Sequence, residues 1–177
     1  MGRIRRLAVG TAAIFALLVA HVVPASAVTG GVLAAGQNTH GQLGNGTKFN
    51  SSLPIAVSGL SDVTSVDGHA QGALALLADG TVTAWGSNEV GQLGNGTTED
   101  SLFPTPVSGL SGVTAISSYG RFCLALLANG TVVSWGLNSH GQLGNGTTAG
   151  SVVPATVQGI NNAGAVATGD YHTCALL

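Results

Sequence analysis

Basic residues are almost missing from this sequence beyond its first six positions. Arg3, Arg5 and Arg6 open the chain, and only Lys48 and Arg121 follow. Across residues 28–177 those two cations face seven carboxylates, Asp62, Asp67, Asp79, Glu89, Glu99, Asp100 and Asp170, a net charge of −5 with histidine neutral. Such a surface repels phosphate backbones, so nucleic acid is not an expected partner. There are two cysteines, Cys123 and Cys174, too few for a disulfide scaffold or a Cys-rich zinc site. No stretch carries the 3.6-residue apolar period of a helical repeat. A G-x-S-x-G elbow, a D-x-[DN]-x-[DN]-G loop and a P-loop lysine are all absent. No two histidines among His40, His69, His140 and His172 stand at ligand spacing. The readings left are no catalytic residue, no metal and no cofactor.

What the sequence does have is glycine, 28 of its 177 residues, and a repeat. The heptapeptide GQLGNGT stands at 41–47, 91–97 and 141–147, a period of 50 residues. At the same period lie Pro54, Pro104 and Pro154, and Asn38, Asn88 and Asn138. Residues 1–27 are of another kind. The basic start, the apolar run Leu7 to Ala20 and the small residues Ala25-Ser26-Ala27 have the order of a secretory signal, with cleavage expected after Ala27. The apolar run is short for a membrane span of about 20 residues, so a secreted protein free of the membrane after cleavage is expected. The expected organisation is a signal over 1–27 and three repeats, approximately 28–77, 78–127 and 128–177.

Within the middle copy, Val63 to Val66, Leu74 to Leu77 and Thr81 to Trp85 carry strand signals, and a fourth short edge strand is expected around Pro104 to Val107. Asp79-Gly80 and Asn129-Gly130 suit a two-residue type I′ hairpin with positive φ at both positions. Ser87 to Phe103, with Gly91, Gly94 and Gly96, reads as a long, tightly turned loop. Four short strands and one long loop per 50 residues make a propeller blade. The fold class is therefore all-β, a β-propeller of four-stranded blades with about three repeats per chain.

The run Leu76-Leu77-Ala78-Asp79-Gly80-Thr81-Val82-Thr83-Ala84-Trp85-Gly86-Ser87-Asn88 through Gly94, its copy from Leu126 to Gly144, and Gly169-Asp170-Tyr171-His172-Thr173-Cys174-Ala175-Leu176 resemble the regulator of chromosome condensation repeat family. The resemblance covers 31–177 and implies a propeller, commonly of seven blades. The first copy departs from it, with Ala35 where the others have Trp85 and Trp135. The third copy reads as gaining one residue near Asn161-Asn162, which aligns His172 with Gln71 and Arg121 and Cys174 with Cys123. On that alignment the cysteines are expected to be small buried hydrophobic residues, too far apart to bridge. Three blades are fewer than the usual four to eight, so a partial ring, a truncated piece of a longer propeller, or a homodimer completing a ring of six blades is expected.

Directly after the identical heptapeptide the copies diverge: Lys-Phe-Asn-Ser-Ser at 48–52, Thr-Glu-Asp-Ser-Leu at 98–102, Thr-Ala-Gly-Ser-Val at 148–152. Loops at one phase of successive blades share a face, so Lys48, Phe49, Glu99, Asp100 and Leu102 are the expected partner-facing residues. The expected function is a secreted, non-enzymatic module that binds an extracellular protein or glycan through this face. The family resemblance adds two alternatives: a guanine nucleotide exchange regulator, or an inhibitor of an extracellular enzyme such as a β-lactamase.

Overall fold

A computed structural model describes residues 30–177; the expected signal and the Ala27 cleavage position lie outside the described residues. The strands are β1 (Leu33–Gly36), β2 (Ser51–Ala56), β3 (Val63–His69), β4 (Gly72–Leu77), β5 (Val82–Gly86), β6 (Ser101–Pro106), β7 (Val113–Tyr119), β8 (Phe122–Leu127), β9 (Val132–Gly136), β10 (Ser151–Thr156), β11 (Ala165–Thr168) and β12 (Thr173–Leu176). They form two four-stranded antiparallel sheets, β3-β4-β5-β6 and β7-β8-β9-β10, and two two-stranded sheets, β1-β2 and β11-β12. Each four-stranded sheet is one blade. The strand carrying Pro104 and Pro106 lies at the outer edge, where a missing N–H costs no ladder bond.

The apolar core is divided among the boundaries between sheets. Trp135, Cys123 and Val133 of one blade pack on Leu74, Ala84 and Leu93 of the blade before it. Trp85 and Ala75 pack in the same way on Val57 and Ala34 of the β1-β2 sheet. Strands β4, β5, β8 and β9 are therefore apolar on both faces and read as nearly continuous runs. The first strands, β3, β7 and β11, lie side by side at the inner end of the blades. Asp67 Oδ2 accepts the Ser118 N–H at 2.6 Å, and Ser117 Oγ accepts the Thr168 N–H at 3.1 Å, so side chains link one inner strand to the next.

Two local expectations are corrected. The hairpins after β4 and β8 are three-residue loops, not two-residue type I′ turns. Gly80 N–H donates to Leu77 O at 3.0 Å and Leu77 N–H to Thr81 O at 2.9 Å. Gly80 has φ +78° while Asp79 keeps a negative φ, because a type I turn closed by a left-handed glycine needs positive φ only at the last position. The Asp79 carboxylate instead accepts the Thr81 N–H and hydroxyl at 2.9 and 2.6 Å, which holds its carboxyl below the usual range.

The third copy carries no extra residue. Val113 N–H donates to Gly80 O and Ala163 N–H to Gly130 O, both at 3.0 Å, 50 residues apart. Ser118 pairs with Cys123 on one inner hairpin and Thr168 with Thr173 on the next, so Cys174 takes the place of Leu124 and His172 that of Phe122. Both cysteines are free: Cys123 is buried, as expected, and Cys174 is exposed, contrary to expectation.

Candidate binding face

Loops 37–50, 87–100 and 137–150 and the β3-β4 and β7-β8 turns lie at one end of the blades. Ser87 N–H donates to Gln71 O and Leu137 N–H to Arg121 O, each at 2.9 Å. The hairpins at 77–81 and 127–131 lie at the other end, against the connections that lead into β7 and β11.

The shared residues of each loop hold the loop itself. Asn88 is fully buried. Its Oδ1 accepts the Leu93 N–H at 2.9 Å, and its Nδ2 donates to Thr97 O at 3.0 Å and Asn95 Oδ1 at 3.3 Å. Asn38 and Asn138 repeat the pattern. Gln42, Gln92 and Gln142 each accept the N–H two residues earlier through Oε1. The backbone carbonyls of Gln42 and Gln92 accept the indole N–H of Trp85 and Trp135 from the following blade, both at 2.9 Å. The identical heptapeptide is thus a scaffold that closes a loop and ties it to the next blade. At Asn45, Asn95 and Asn145 the Oδ1 accepts the N–H and hydroxyl of the threonine two residues on.

The five residues expected on the partner face separate into two groups. Lys48, Phe49 and Glu99 are exposed, Phe49 by 81%. Asp100 is exposed as well but hydrogen-bonded within the fold, and Leu102 is half-buried. Asp100 Oδ1 accepts the Asn88 N–H at 2.8 Å and Oδ2 lies 3.1 Å from His40 Nδ1 of the preceding loop. Asn50 caps the Asn38 N–H in the same way at 2.9 Å, and that shared Asx position was the signal in the sequence for a structural role. Leu102 lies over Gly41 and its carbonyl accepts the Gly46 N–H at 3.0 Å, so it belongs to the blade boundary; Val152 sits over Gly91 alike.

Other residues that face across blades at this end carried no sequence signal, because nothing in the chain relates their positions before folding. Glu89 Oε2 pairs with Arg121 Nη1 at 3.2 Å, and the His140 ring lies 4.7 Å from that of Tyr171. His69 covers Gly72 on the opposite strand, and its two ring nitrogens are buried without a partner. Burial pushes its pKa down from 6.5 to about 4. Among the described residues no three His, Cys, Asp or Glu side chains converge as metal ligands. The face offers exposed aromatic rings, Phe49, Tyr119 and Tyr171, and charges of both signs, one pair of them bridged.

The repeat model described as regulator of chromosome condensation (RCC1) repeat matches residues 29–76, 79–126 and 129–176, nearly all of the chain. The chain belongs to this family. A second model of the same description matches 61–92 and 113–142. RCC1 repeat boundaries fall between β4 and β5 and between β8 and β9, so each sequence repeat takes the last two strands of one blade and the first two of the next. Among solved structures the chain is similar to human WBSCR16, with 27% identity and a TM-score of 0.72 over 83% of this chain and 40% of that one. It is also similar to Prp20p from Saccharomyces cerevisiae, with 18% identity and a TM-score of 0.73 over 82% of this chain and 39% of that one. That structure is described with the binding properties of Prp20p to Gsp1p and histones. Yeast RCC1 (Prp20) bound to Kap60 has a TM-score of 0.69 at 22% identity, over 83% of this chain and 37% of that one. The chain spans about two fifths of the length of these structures. No curated protein sequence matches it.

Proposed function

We propose that this RCC1-repeat chain is a secreted, non-enzymatic binding module that captures an extracellular protein with its loop face. The observation that carries the reading is the contrast inside each loop. The heptapeptide is spent on internal hydrogen bonds, whereas the residues directly after it differ from copy to copy and put Phe49, Lys48 and Glu99 into solvent. An aromatic side chain held by a rigid loop in water loses little entropy on binding, which suits it as an anchor. Secretion is supported by the leader pattern of residues 1–27. Absence of an acid, base or nucleophile constellation in the sequence supports a role without catalysis.

The test is capture from culture medium by the immobilised chain, alongside purified β-lactamase, a nucleotide-loaded small GTPase and polysaccharides. Phe49→Ala and Glu99→Ala are expected to weaken capture at least tenfold with circular dichroism unchanged. Full retention by both folded variants overturns the loop-face reading. Nucleotide release from the GTPase would instead favour an exchange regulator, the alternative that the family resemblance implies.

A further inference from the structure

We infer that the cleft between loops 87–100 and 137–150 binds a carboxylate on a short aliphatic stem, the group carried by an acidic side chain of a captured protein or by a small aliphatic acid. The cleft has a volume of about 340 Å³, the size of a small-ligand pocket, and is lined by Val90, Thr98, Leu137, Asn138, Gly150 and Val152 among others. Its walls come from two consecutive blades, β3-β4-β5-β6 and β7-β8-β9-β10, so the chain itself supplies both sides. The inference rests on the loop-face reading and deepens it by naming a chemical group recognised there.

The other two loops show what occupies this place. In the first, Asn50 Oδ1 accepts the Asn38 N–H at 2.9 Å, and in the second, Asp100 Oδ1 accepts the Asn88 N–H at 2.8 Å. At the same phase the third loop has Gly150, which has no side chain to offer, and among the described residues no acceptor reaches the Asn138 N–H. The rest of the loop keeps its form. Asn138 Oδ1 accepts the Leu143 N–H at 2.9 Å, and its Nδ2 donates to Ala149 O at 2.8 Å as Asn38 Nδ2 does to Phe49 O at 3.1 Å. Asn138 is buried, so this is a backbone donor whose missing acceptor costs free energy.

A second group is missing beside it. Asp100 Oδ2 lies 3.1 Å from His40 Nδ1 of the preceding loop. The counterparts of that pair one blade on are Gly150 and Val90, and both line the cleft. The space that a carboxylate and an imidazole share at one blade boundary is therefore open at the next, with an unpaired N–H in it and Val90, Leu137 and Val152 around it. A hydrogen bond from that N–H is strongest to an ionised oxygen, and the apolar walls suit a hydrocarbon stem. No charged residue lines the cleft, so nothing in its walls repels an anion. A Cβ on Gly150 would lie 2.9 Å from Gly136 O, so a side chain here would have to push the backbone aside, and the acceptor is left to come from another molecule.

The experiment follows the Asn138 backbone amide by NMR in the full chain at pH 7. N-acetyl-aspartate N-methylamide and butanoate are expected to shift it saturably with millimolar affinity, whereas N-acetyl-leucine N-methylamide leaves it in place. Tighter binding of the blocked aspartate assigns the cleft to acidic side chains of proteins, and tighter binding of butanoate to small acids; either order upholds the site. Gly150→Asp supplies the cleft with its own carboxylate and is expected to abolish the shift. Because that variant must displace backbone, Thr98→Glu, at an exposed position of the lining, adds a like charge instead and is expected to weaken binding at least threefold with circular dichroism unchanged. An Asn138 amide that neither carboxylate shifts, that the blocked leucine shifts equally, or that keeps full affinity in folded Thr98→Glu overturns the inference. No captured protein enters these titrations, so loss of the shift leaves capture through Phe49 and Glu99 standing, and failed capture leaves the shift standing.

Discussion

The indole Nε1 of Trp135 donates to the backbone carbonyl of Gln92 at 2.9 Å, and the thiol of Cys123 reaches the same oxygen at 3.4 Å. A fully buried oxygen in one loop therefore takes its donors from the next blade, and the boundary between blades has a polar fastening inside its apolar core. Burial, with a smaller effect of Asp67, pushes the Cys123 thiol well above its usual range, so it stays a neutral donor. Trp135→Phe keeps most of the ring volume and removes the stronger donor. It is expected to cost about 1–3 kcal/mol in urea unfolding, more than a surface change.

Asn88→Asp tests the loop scaffold with almost no change of shape. The Nδ2 contacts to Thr97 O, Thr97 Oγ1 and Asn95 Oδ1, at 3.0, 3.1 and 3.3 Å, would place a carboxylate oxygen against acceptors. The expected loss is about 3 kcal/mol or more at pH 7, since a buried charge would face unpaired acceptors. The new carboxyl has its folded pKa raised, so the loss shrinks as pH falls and it becomes protonated. Equal stability of variant and wild type in urea at pH 7 would contradict the hub role of Asn88.

The propeller fold was legible because the 50-residue period set the strands, the outer Pro-bearing edge strand and the long loop in one order three times over. Three features were not. Asx-Gly fits both a two-residue and a three-residue hairpin, and only Leu77 O accepting from Gly80 decides between them. The alignment of Cys174 with Cys123 followed side-chain identity where the backbone follows hydrogen bonds. At these hairpins the imidazole has changed strands: His69 covers Gly72 in one copy, and His172 covers Gly169 in another. At the candidate face the sequence could not sort its residues. Divergence after the heptapeptide marked exposed Phe49 and engaged Asp100 alike, because variation between copies also reports how each blade boundary is fastened.

His69 makes stability depend on pH in a definite window. Its folded pKa is about 4 against 6.5, so between those values the unfolded chain binds more protons than the folded one. Stability is full above pH 6.5 and falls as pH drops toward 4, by about 2 kcal/mol after allowing for the ring's partial exposure to solvent. His69→Gln is expected to flatten that part of the curve in urea titrations at pH 7, 5.5 and 4. An unchanged slope in the variant would assign the pH dependence to other groups.

Asp62 has a φ of +55°, the one non-glycine residue in the left-handed region among those described. At the same phase of the next blade stands Gly112, with φ +65°, and the two carbonyls make matching bonds, Ala78 N–H to Asp62 O at 2.8 Å and Ala128 N–H to Gly112 O at 2.9 Å. An L side chain in this conformation costs about 1–2 kcal/mol, less for aspartate than for alanine. Glycine removes that strain and gives back part of the gain as entropy of the unfolded chain. Asp62→Gly is therefore expected to stabilise by about 0.5 kcal/mol, and Asp62→Ala to destabilise by about 1 kcal/mol. Thermal melts should rank the three proteins glycine, aspartate, alanine from most to least stable. Because Asp62 O must accept from Ala78 for β4 to enter its hairpin, an alanine variant as stable as wild type would mean that the connection into β3 does not hold the left-handed turn.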